Sequence, residues 1–402
     1  MIFFLLFLAL FNRFIYKSSL NPIFLQSVLW LIYYVLLAAN IKVYDVRIEQ
    51  VNAFILLQSI GFSLGGFLCF LFSKKSSVWE KKELSVFSLE AVQKNILFLF
   101  PFFFCILCVS FLALARTSGS ISLANLADIR QNLAEDDGKK YGTYGLIQFL
   151  LSIYLLLYAA TKTKFHYRFT LFYIIFFYFT ALLGAKAAFL FFFSSLLYVL
   201  LWQKKINISK VVLSVALIFS LFVVITLLRT DSSYNTDLSF LSDVLLIYSI
   251  TSMPGLALTA HGASSPFFGY QTFRVIYLWL NKIGFSLPIS PVLLQFTYTP
   301  LPTNVFSYVK PYFTDFGYVG VFLLPLIIGF LNNYMFFRAN KGRLGSFILN
   351  ALLIFPLIMQ FFDDQYFRWF SNWIYFSVLI LLLTKIRFYD IRLRNSNLQP
   401  TN

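Results

Sequence analysis

The chain has 402 residues and a net charge of +16, and it is 59% hydrophobic but only 12% charged. A soluble domain carries about 25% charged residues, so the composition excludes an ordinary soluble protein and predicts a polytopic membrane protein. The sequence has no Walker loop, dinucleotide fingerprint, His-Glu-x-x-His pair or nucleophile elbow. This argues against an ATP-driven pump and against an enzyme that uses cytosolic nucleotide sugars.

Apolar segments of spanning length recur along the chain and predict an all-α fold with about eleven transmembrane helices. We place the helices at residues 1–12, 22–40, 50–73, 95–115, 144–161, 168–183, 186–202, 211–229, 317–337, 345–361 and 371–386. The apolar run Phe169–Trp202 is too long for one crossing of ~30 Å at ~1.5 Å per residue. Gly184-Ala185-Lys186 is therefore predicted to divide it into a helical hairpin. The three cysteines lie in apolar runs, and we expect neither a disulfide nor a metal site.

Basic residues are concentrated in alternate loops. The loops on one side hold 20 basic and four acidic residues, whereas the rest of the chain has 12 of each. The positive-inside rule assigns the basic side to the cytoplasm, which places the N-terminus outside and the C-terminus inside. We interpret the excess charge as membrane orientation and contact with anionic lipids, and we expect no binding of nucleic acid.

This topology divides the chain into three predicted regions: an N-terminal bundle (1–229), a large outer loop (230–316) and C-terminal helices with a basic tail (317–402). Long loops of membrane proteins are common sites of substrate contact. Within the outer loop, Val244–Ala260 and Val275–Phe296 are fairly apolar but contain proline or glycine. We expect them to form short amphipathic or re-entrant helices on the bundle.

Several basic residues lie at or near predicted helix ends on the outer side. They are Arg116, Arg130, Lys186, Arg229, Arg274, Lys282 and Arg368. Charges near the hydrocarbon are costly and tend to have partners or functions, and guanidinium groups match phosphate oxygens. Such a cluster suits a lipid-linked pyrophosphate, although each residue alone is also compatible with simple placement at the membrane interface.

The candidate proton acceptors on the outer side are His261, in a flexible loop, and Asp315. For Asp315 two other roles stay open, which are pairing with an arginine and capping a helix that begins near Phe316. Asp363 and Asp364 are adjacent carboxylates that are compatible with a divalent ion. Since no matching ligand cluster is present, we favour a short polar turn that pairs with Arg368.

The stretches Pro302–Phe306 and Pro311–Gly320, followed by an apolar helix with Gly329, resemble the C-terminal motif of the Wzy-type O-antigen polymerases. The helix with Arg130, the turn with Lys186 and the helix end at Arg229 lie where that family carries basic residues. The family often has arginine in the position of Lys186, so the lysine here keeps the charge but loses the bidentate fork.

The resemblance implies a GT-C-like glycosyltransferase in a bacterial inner membrane. Such an enzyme transfers a growing glycan from undecaprenyl pyrophosphate to a new lipid-linked repeat unit at the periplasmic face. It uses no nucleotide and no cofactor or metal, so cationic side chains stabilise the departing pyrophosphate. Its expected partners are the lipid-linked oligosaccharide, membrane lipids, and a chain-length regulator and flippase of the same pathway.

The resemblance also implies roles for individual residues. Expected at the pyrophosphates and substrate are Arg130, Lys186, Arg229, Arg274, Asn304 and Tyr312. His261 or Asp315 is expected to deprotonate the acceptor hydroxyl. Candidate platforms for sugar rings are Tyr141, Tyr144, Tyr270 and Tyr312.

Two alternatives share this outline. An O-antigen ligase transfers the glycan to lipid A-core instead, and the Asp315-Phe316-Gly317 segment favours the polymerase. A lipid-linked oligosaccharide flippase or other transporter predicts repeated halves and charges within spans, and the sequence shows no repeat and few such charges.

Overall fold

A computed structural model of the chain describes residues 1–40, 48–73, 86–118, 139–161, 167–183, 186–207, 209–217, 220, 250–260, 265–291, 296–299 and 302–386. The helices with defined bounds are α1 (Ile2–Tyr16), α2 (Pro22–Ala39), α3 (Ile48–Ser73), α4 (Val86–Ser118), α5 (Lys139–Thr161), α6 (Tyr167–Leu182), α7 (Lys186–Trp202), α8 (Ser252–Thr259), α9 (Arg274–Lys282), α10 (Val309–Asn340), α11 (Leu344–Leu352), α12 (Ile354–Met359) and α13 (Phe370–Lys385). Two antiparallel two-residue strands, β1 (Thr297–Tyr298) and β2 (Pro302–Thr303), pair Thr297 with Thr303.

Five helices in the described part of the chain are long and apolar enough to cross a membrane. They are α2, α3, α10 and the greater part of α4 and α5. Shorter apolar helices cover Ile2–Tyr16, Tyr167–Leu182, Ala187–Trp202, Leu344–Met359 and Phe370–Lys385. The prediction of a mostly helical, membrane-embedded protein is therefore confirmed, while the number of crossings stays a prediction.

The predicted break in the run Phe169–Trp202 is present, because α6 ends at Leu182 and α7 begins at Lys186. The predicted span 211–229 falls largely outside the described residues, and residues 209–217 are helical. Within the outer loop, α8 has 8 residues and α9 has 9. Helices of this length cannot by themselves cross a core of ~30 Å at ~1.5 Å per residue. Residues 244–249 and 292–295 of the two predicted segments lie outside the described residues, so their placement on the bundle stays a prediction.

The chain packs as two units. The first comprises Met1–Lys81, Asp237–Asn340 and Leu353–Trp373, and the second comprises Lys82–Thr236, Lys341–Leu352 and Ile374–Asn402. This division follows packing, whereas the predicted one (1–229, 230–316 and 317–402) follows topology, and the latter stays a prediction.

The first unit is organised around α3 and α10. Gly61 meets the backbone of Phe322 and Gly65 that of Leu326, so the two helices run in the same direction. This agrees with the predicted topology, in which both cross the membrane inward. A Cβ on Gly65 would overlap the carbonyl oxygen of Leu326. Glycine therefore lets the two backbones touch, a form of packing that membrane helices favour.

Buried polar side chains also join the helices of the first unit. The Asn21 amide donates to Asn333 Oδ1 at 2.8 Å, and the Asn333 amide donates to the Gly66 carbonyl at 2.7 Å. Gln58 Oε1 accepts from Gln26 at 2.9 Å and from the Tyr308 hydroxyl at 2.8 Å. These hydrogen bonds join α2, α3 and the start of α10. They help to fix how the helices pack, because apolar surfaces alone do not drive helices together within a membrane.

The second unit has an aromatic core. Phe103 stacks on Tyr154 with ring centroids 4.2 Å apart, and Tyr158 stacks on Phe169 at 3.5 Å. Tyr154 is fully buried, and its hydroxyl donates to the Ile96 carbonyl at 2.7 Å. The high phenylalanine and tyrosine content of the chain is thus used here for helix packing.

Candidate functional site

The first unit contains a pocket where three separate stretches meet. It is lined by Gln271, Ser290, Pro291, Phe306, Ser307, Lys310, Pro311, Asp363 and Arg368. The stretches are the loop around α9, the start of α10, and the segment between α12 and α13. The cavity volume is about 20 Å³, which is enough for about one water molecule or one small group. We call it the cationic pocket.

Lys310 contributes the first basic side chain. It is the second residue of α10, and its ammonium lies 3.0 Å from the centre of the Phe306 ring. Within the described ranges no carboxylate pairs with this ammonium. A cation with an aromatic face as its neighbour keeps its donors available for an anionic ligand.

Arg368 and Asp363 form an ion pair in the pocket wall, with Nη1 and Oδ1 2.6 Å apart. The arginine side chain is 16% exposed and the aspartate 36%. The prediction that the Asp363-Asp364 turn pairs with Arg368 is confirmed for Asp363. No group of three or more His, Cys, Asp or Glu residues in the described ranges is arranged to hold a metal ion.

Arg274 stands beside this pair. Its Nε donates to the Ser290 carbonyl at 2.8 Å, and Ser290 is itself a lining residue. Burial and the positive charge of Arg368 lower the pKa of Arg274. Two basic residues, Lys310 and Arg368, thus line the pocket with one carboxylate, Asp363, while Arg274 is bonded to the wall at Ser290. Such an excess of basic groups favours an anion.

Asp315 supports this site from behind. Its Oδ2 accepts from the amides of Thr272 at 2.7 Å and Gln271 at 3.0 Å, and Oδ1 accepts from Gln271 at 3.2 Å. The alternative in which Asp315 caps a helix beginning near Phe316 is not the one observed, because α10 begins at Val309 and both Asp315 oxygens accept from Gln271 and Thr272. Asp315 instead ties α10 to the turn that precedes α9, and so fixes Gln271 in the pocket wall.

Gly317 interrupts α10 directly after Phe316, close to the predicted start of the apolar helix at residue 317. Its backbone (φ 61°, ψ −152°) is not helical and lies within α10, dividing it into two parts. This φ is one that glycine adopts without strain. The first part, up to Phe316, carries Lys310 and Asp315, and the second continues as the apolar helix.

The remaining predicted site residues are distributed as follows. Arg130, Arg229 and His261 lie outside the described residues, as does the side chain of Lys186, whose backbone begins α7. Tyr144 is buried in the second unit, and Tyr141 has a backbone in α5 but lies outside the described side chains. Asn304 follows β2 and Tyr270 precedes α9, and both are partly buried.

Tyr312 is fully buried and does not line the cationic pocket. Its ring is covered by other residues and has no open face on which a sugar could stack. Of the predicted pyrophosphate ligands, Arg274 is bonded to the lining residue Ser290, and Arg368 is itself a lining residue. Lys310 has no predicted role, although it is the single basic residue in the stretch Pro302–Gly320.

The chain matches no protein-family model, no curated protein and no solved structure. Its function is therefore argued from the geometry of the cationic pocket and from the sequence.

Proposed function

We propose that the protein is a membrane glycosyltransferase that polymerises oligosaccharide repeat units carried on undecaprenyl pyrophosphate. The observation that supports this most is that Lys310 and Arg368 line one pocket at the loop end of an apolar helix, with Arg274 bonded to its wall at Ser290. A departing lipid pyrophosphate needs cationic stabilisation, and preorganised donors supply it without reorganisation.

The proposed reaction forms two bonds and breaks two. The hydroxyl oxygen of the acceptor sugar attacks the anomeric carbon of the donor glycan, and the bond from that carbon to the pyrophosphate oxygen breaks. The O–H bond of the acceptor also breaks as its proton passes to a base, and the lipid pyrophosphate leaves as an anion with one phosphate group held by Lys310 and Arg368. No nucleotide, cofactor or metal enters this scheme.

We also propose the finer features of the topology. These are about eleven crossings, a GT-C-like arrangement, and a bacterial inner membrane with the N-terminus periplasmic and the C-terminus cytoplasmic. The chain then works beside a flippase, which supplies the lipid-linked units, and a chain-length regulator.

The first test is deletion of the gene followed by a gel of the surface glycan. Capping of the lipid anchor with a single repeat unit supports a polymerase. Complete loss of attached repeats indicates an O-antigen ligase instead. A ladder that does not change contradicts both functions.

In the deletion strain, we expect Lys310→Met to shorten the glycan ladder severely, with polymer formation reduced by about 10²-fold or more. Methionine keeps most of the length and apolar character of lysine but removes the charge that faces the pyrophosphate. Lys282→Met is the matched control, because Lys282 ends α9 and is exposed outside the pocket. A normal ladder with Lys310→Met at wild-type protein levels contradicts the assignment.

Asp315 is expected to act by position rather than as a base. Asp315→Asn keeps an oxygen that accepts from the amides of Gln271 and Thr272 but cannot take up a proton, so it should retain polymer formation. Asp315→Ala leaves two amides without an acceptor, at a cost of about 1–3 kcal/mol, and should lower both thermal stability and chain length. A full loss of activity in a stable Asp315→Asn protein would restore Asp315 as the base.

A further inference from the structure

A buried carboxylate lies directly behind the wall of the cationic pocket. Asp363 lines the pocket, whereas the next residue, Asp364, is fully buried. Oδ1 of Asp364 accepts from the amides of Tyr366 at 2.9 Å and Phe367 at 3.2 Å. Its other oxygen, Oδ2, is buried and has no hydrogen-bond partner among the described residues.

No group in the described part of the chain neutralises the charge of Asp364 when it is ionised. The nearby guanidinium of Arg368 is bonded to Asp363. An ionised carboxylate without a cation costs several kcal/mol when buried, and the group tends to bind a proton instead. Burial accordingly raises the pKa of Asp364 to about 7.

Three tyrosines surround this carboxylate, and with Asp364 we call them the tyrosine–aspartate cluster: Tyr308, Tyr312, Tyr366 and Asp364. The rings of Tyr308 and Tyr312 lie 5.5 Å apart, and those of Tyr308 and Tyr366 lie 6.4 Å apart. The hydroxyls of Tyr312 and Tyr366 are buried without a hydrogen-bond partner in the described ranges. Tyr312 interacts with Asp364 without reaching hydrogen-bond geometry.

The cluster therefore holds one group that changes charge near neutral pH. Facing Asp364 are Tyr308 and Tyr312 at the start of α10, and Tyr366 and Asp363 on its own segment. Phenolic hydroxyls stay neutral near pH 7, and Asp363 is bonded to Arg368. This leaves Asp364 as the group able to accept and release a proton.

The chain order connects the cluster to the pocket at two points. Pro311 and Asp363 line the pocket, and the residues that follow them, Tyr312 and Asp364, are fully buried. Tyr312 and Asp364 thus each follow a residue of the pocket wall directly in the chain. Asp315, by contrast, has both oxygens engaged by backbone amides.

We propose that Asp364 is a buried proton-binding site behind the cationic pocket, with the Tyr312 hydroxyl as its neighbour. Oδ2 takes up a proton from water when the carboxylate becomes neutral and returns it to water when the carboxylate ionises. The charge of Asp364 is thereby removed from or added to the local field beside Asp363 and the pocket. Its effect on glycan transfer rests on the proposed function, whereas the proton site itself does not.

The proton site is tested by infrared spectroscopy of the purified full-length chain, titrated between about pH 5 and about pH 9. We expect the carbonyl band of a protonated carboxylic acid to be present in acid and lost with a midpoint near neutrality. Asp364→Asn should remove that band and Asp363→Asn should keep it. Tyr312→Phe, which preserves the ring, should shift the midpoint. A wild-type spectrum without such a band, or a band that survives Asp364→Asn, overturns the proposal.

The effect of this proton site on glycan transfer is tested by the glycan ladder. We expect Asp364→Asn to shorten the ladder, because the variant can no longer change its charge behind the pocket. A normal ladder in stable Asp364→Asn protein, together with a short ladder in Lys310→Met, overturns this effect while leaving the proposed function intact. A gene deletion that leaves the ladder unchanged overturns the function, and the infrared titration still decides the proton site.

Discussion

Gly65→Ala is expected to destabilise the first unit severely. The added methyl group overlaps the carbonyl oxygen of Leu326 and crowds the Phe330 amide, and both belong to the backbone of α10. A backbone cannot rotate away as a side chain does, so α3 and α10 must separate along a contact that also includes Gly61 and Gly329. Overpacking of this kind costs about 1–3 kcal/mol or more. We expect a large fall in apparent Tm and in monodisperse protein.

Gly145→Ala is the matched control for this experiment. Gly145 lies in α5, which is also long and apolar, and a Cβ added there meets no described atom within 4 Å. The same chemical change should therefore raise stability slightly, by about 1 kcal/mol at most, through helix propensity. The two variants are compared by thermal unfolding in the same detergent. Equal responses would contradict the close approach of α3 and α10.

Apolar patterning predicted those helices whose length and hydrophobicity both match a membrane. The predicted spans 22–40 and 50–73 correspond to α2 (Pro22–Ala39) and α3 (Ile48–Ser73). α10 begins at Val309 rather than at the predicted residue 317. Its first part carries Lys310, Pro311 and Asp315, which hydropathy excludes from a span, although Pro311 is buried and the other two are half-buried.

The sequence predicted the chemical type of the site, a group of basic residues, but not all of the residues that form it. Arg274 and Arg368 could be chosen from charge and position, because charges near the hydrocarbon tend to have partners or functions. The sequence did not show that the start of α10 faces the segment after α12, which brings Lys310 to Arg368. Asp315 shows the same limit, because its partners Gln271 and Thr272 lie 44 and 43 positions earlier in the chain.

Asp364→Asn is expected to change how stability depends on pH. The pKa of Asp364 is about 7 in the folded chain against an ordinary value of 3.8. Between these values the folded state holds a proton that the unfolded state has released, so raising the pH lowers stability across this window. Each unit of pKa difference corresponds to about 1.4 kcal/mol, which gives a total of a few kcal/mol. Above about pH 7 both states are ionised and the contribution levels off.

Asparagine has nearly the same shape as aspartate but carries no charge at any of these pH values, so it removes this contribution. The apparent Tm of Asp364→Asn should therefore fall less than that of the wild type between about pH 4 and about pH 7. The two curves should be closest in acid, where Asp364 is itself neutral. Glu49→Gln, which alters an exposed carboxylate at the start of α3, is the control and should leave the wild-type slope nearly unchanged. Parallel curves for wild type and Asp364→Asn would mean that Asp364 is ionised in the fold, and a cation or donor must then reach Oδ2.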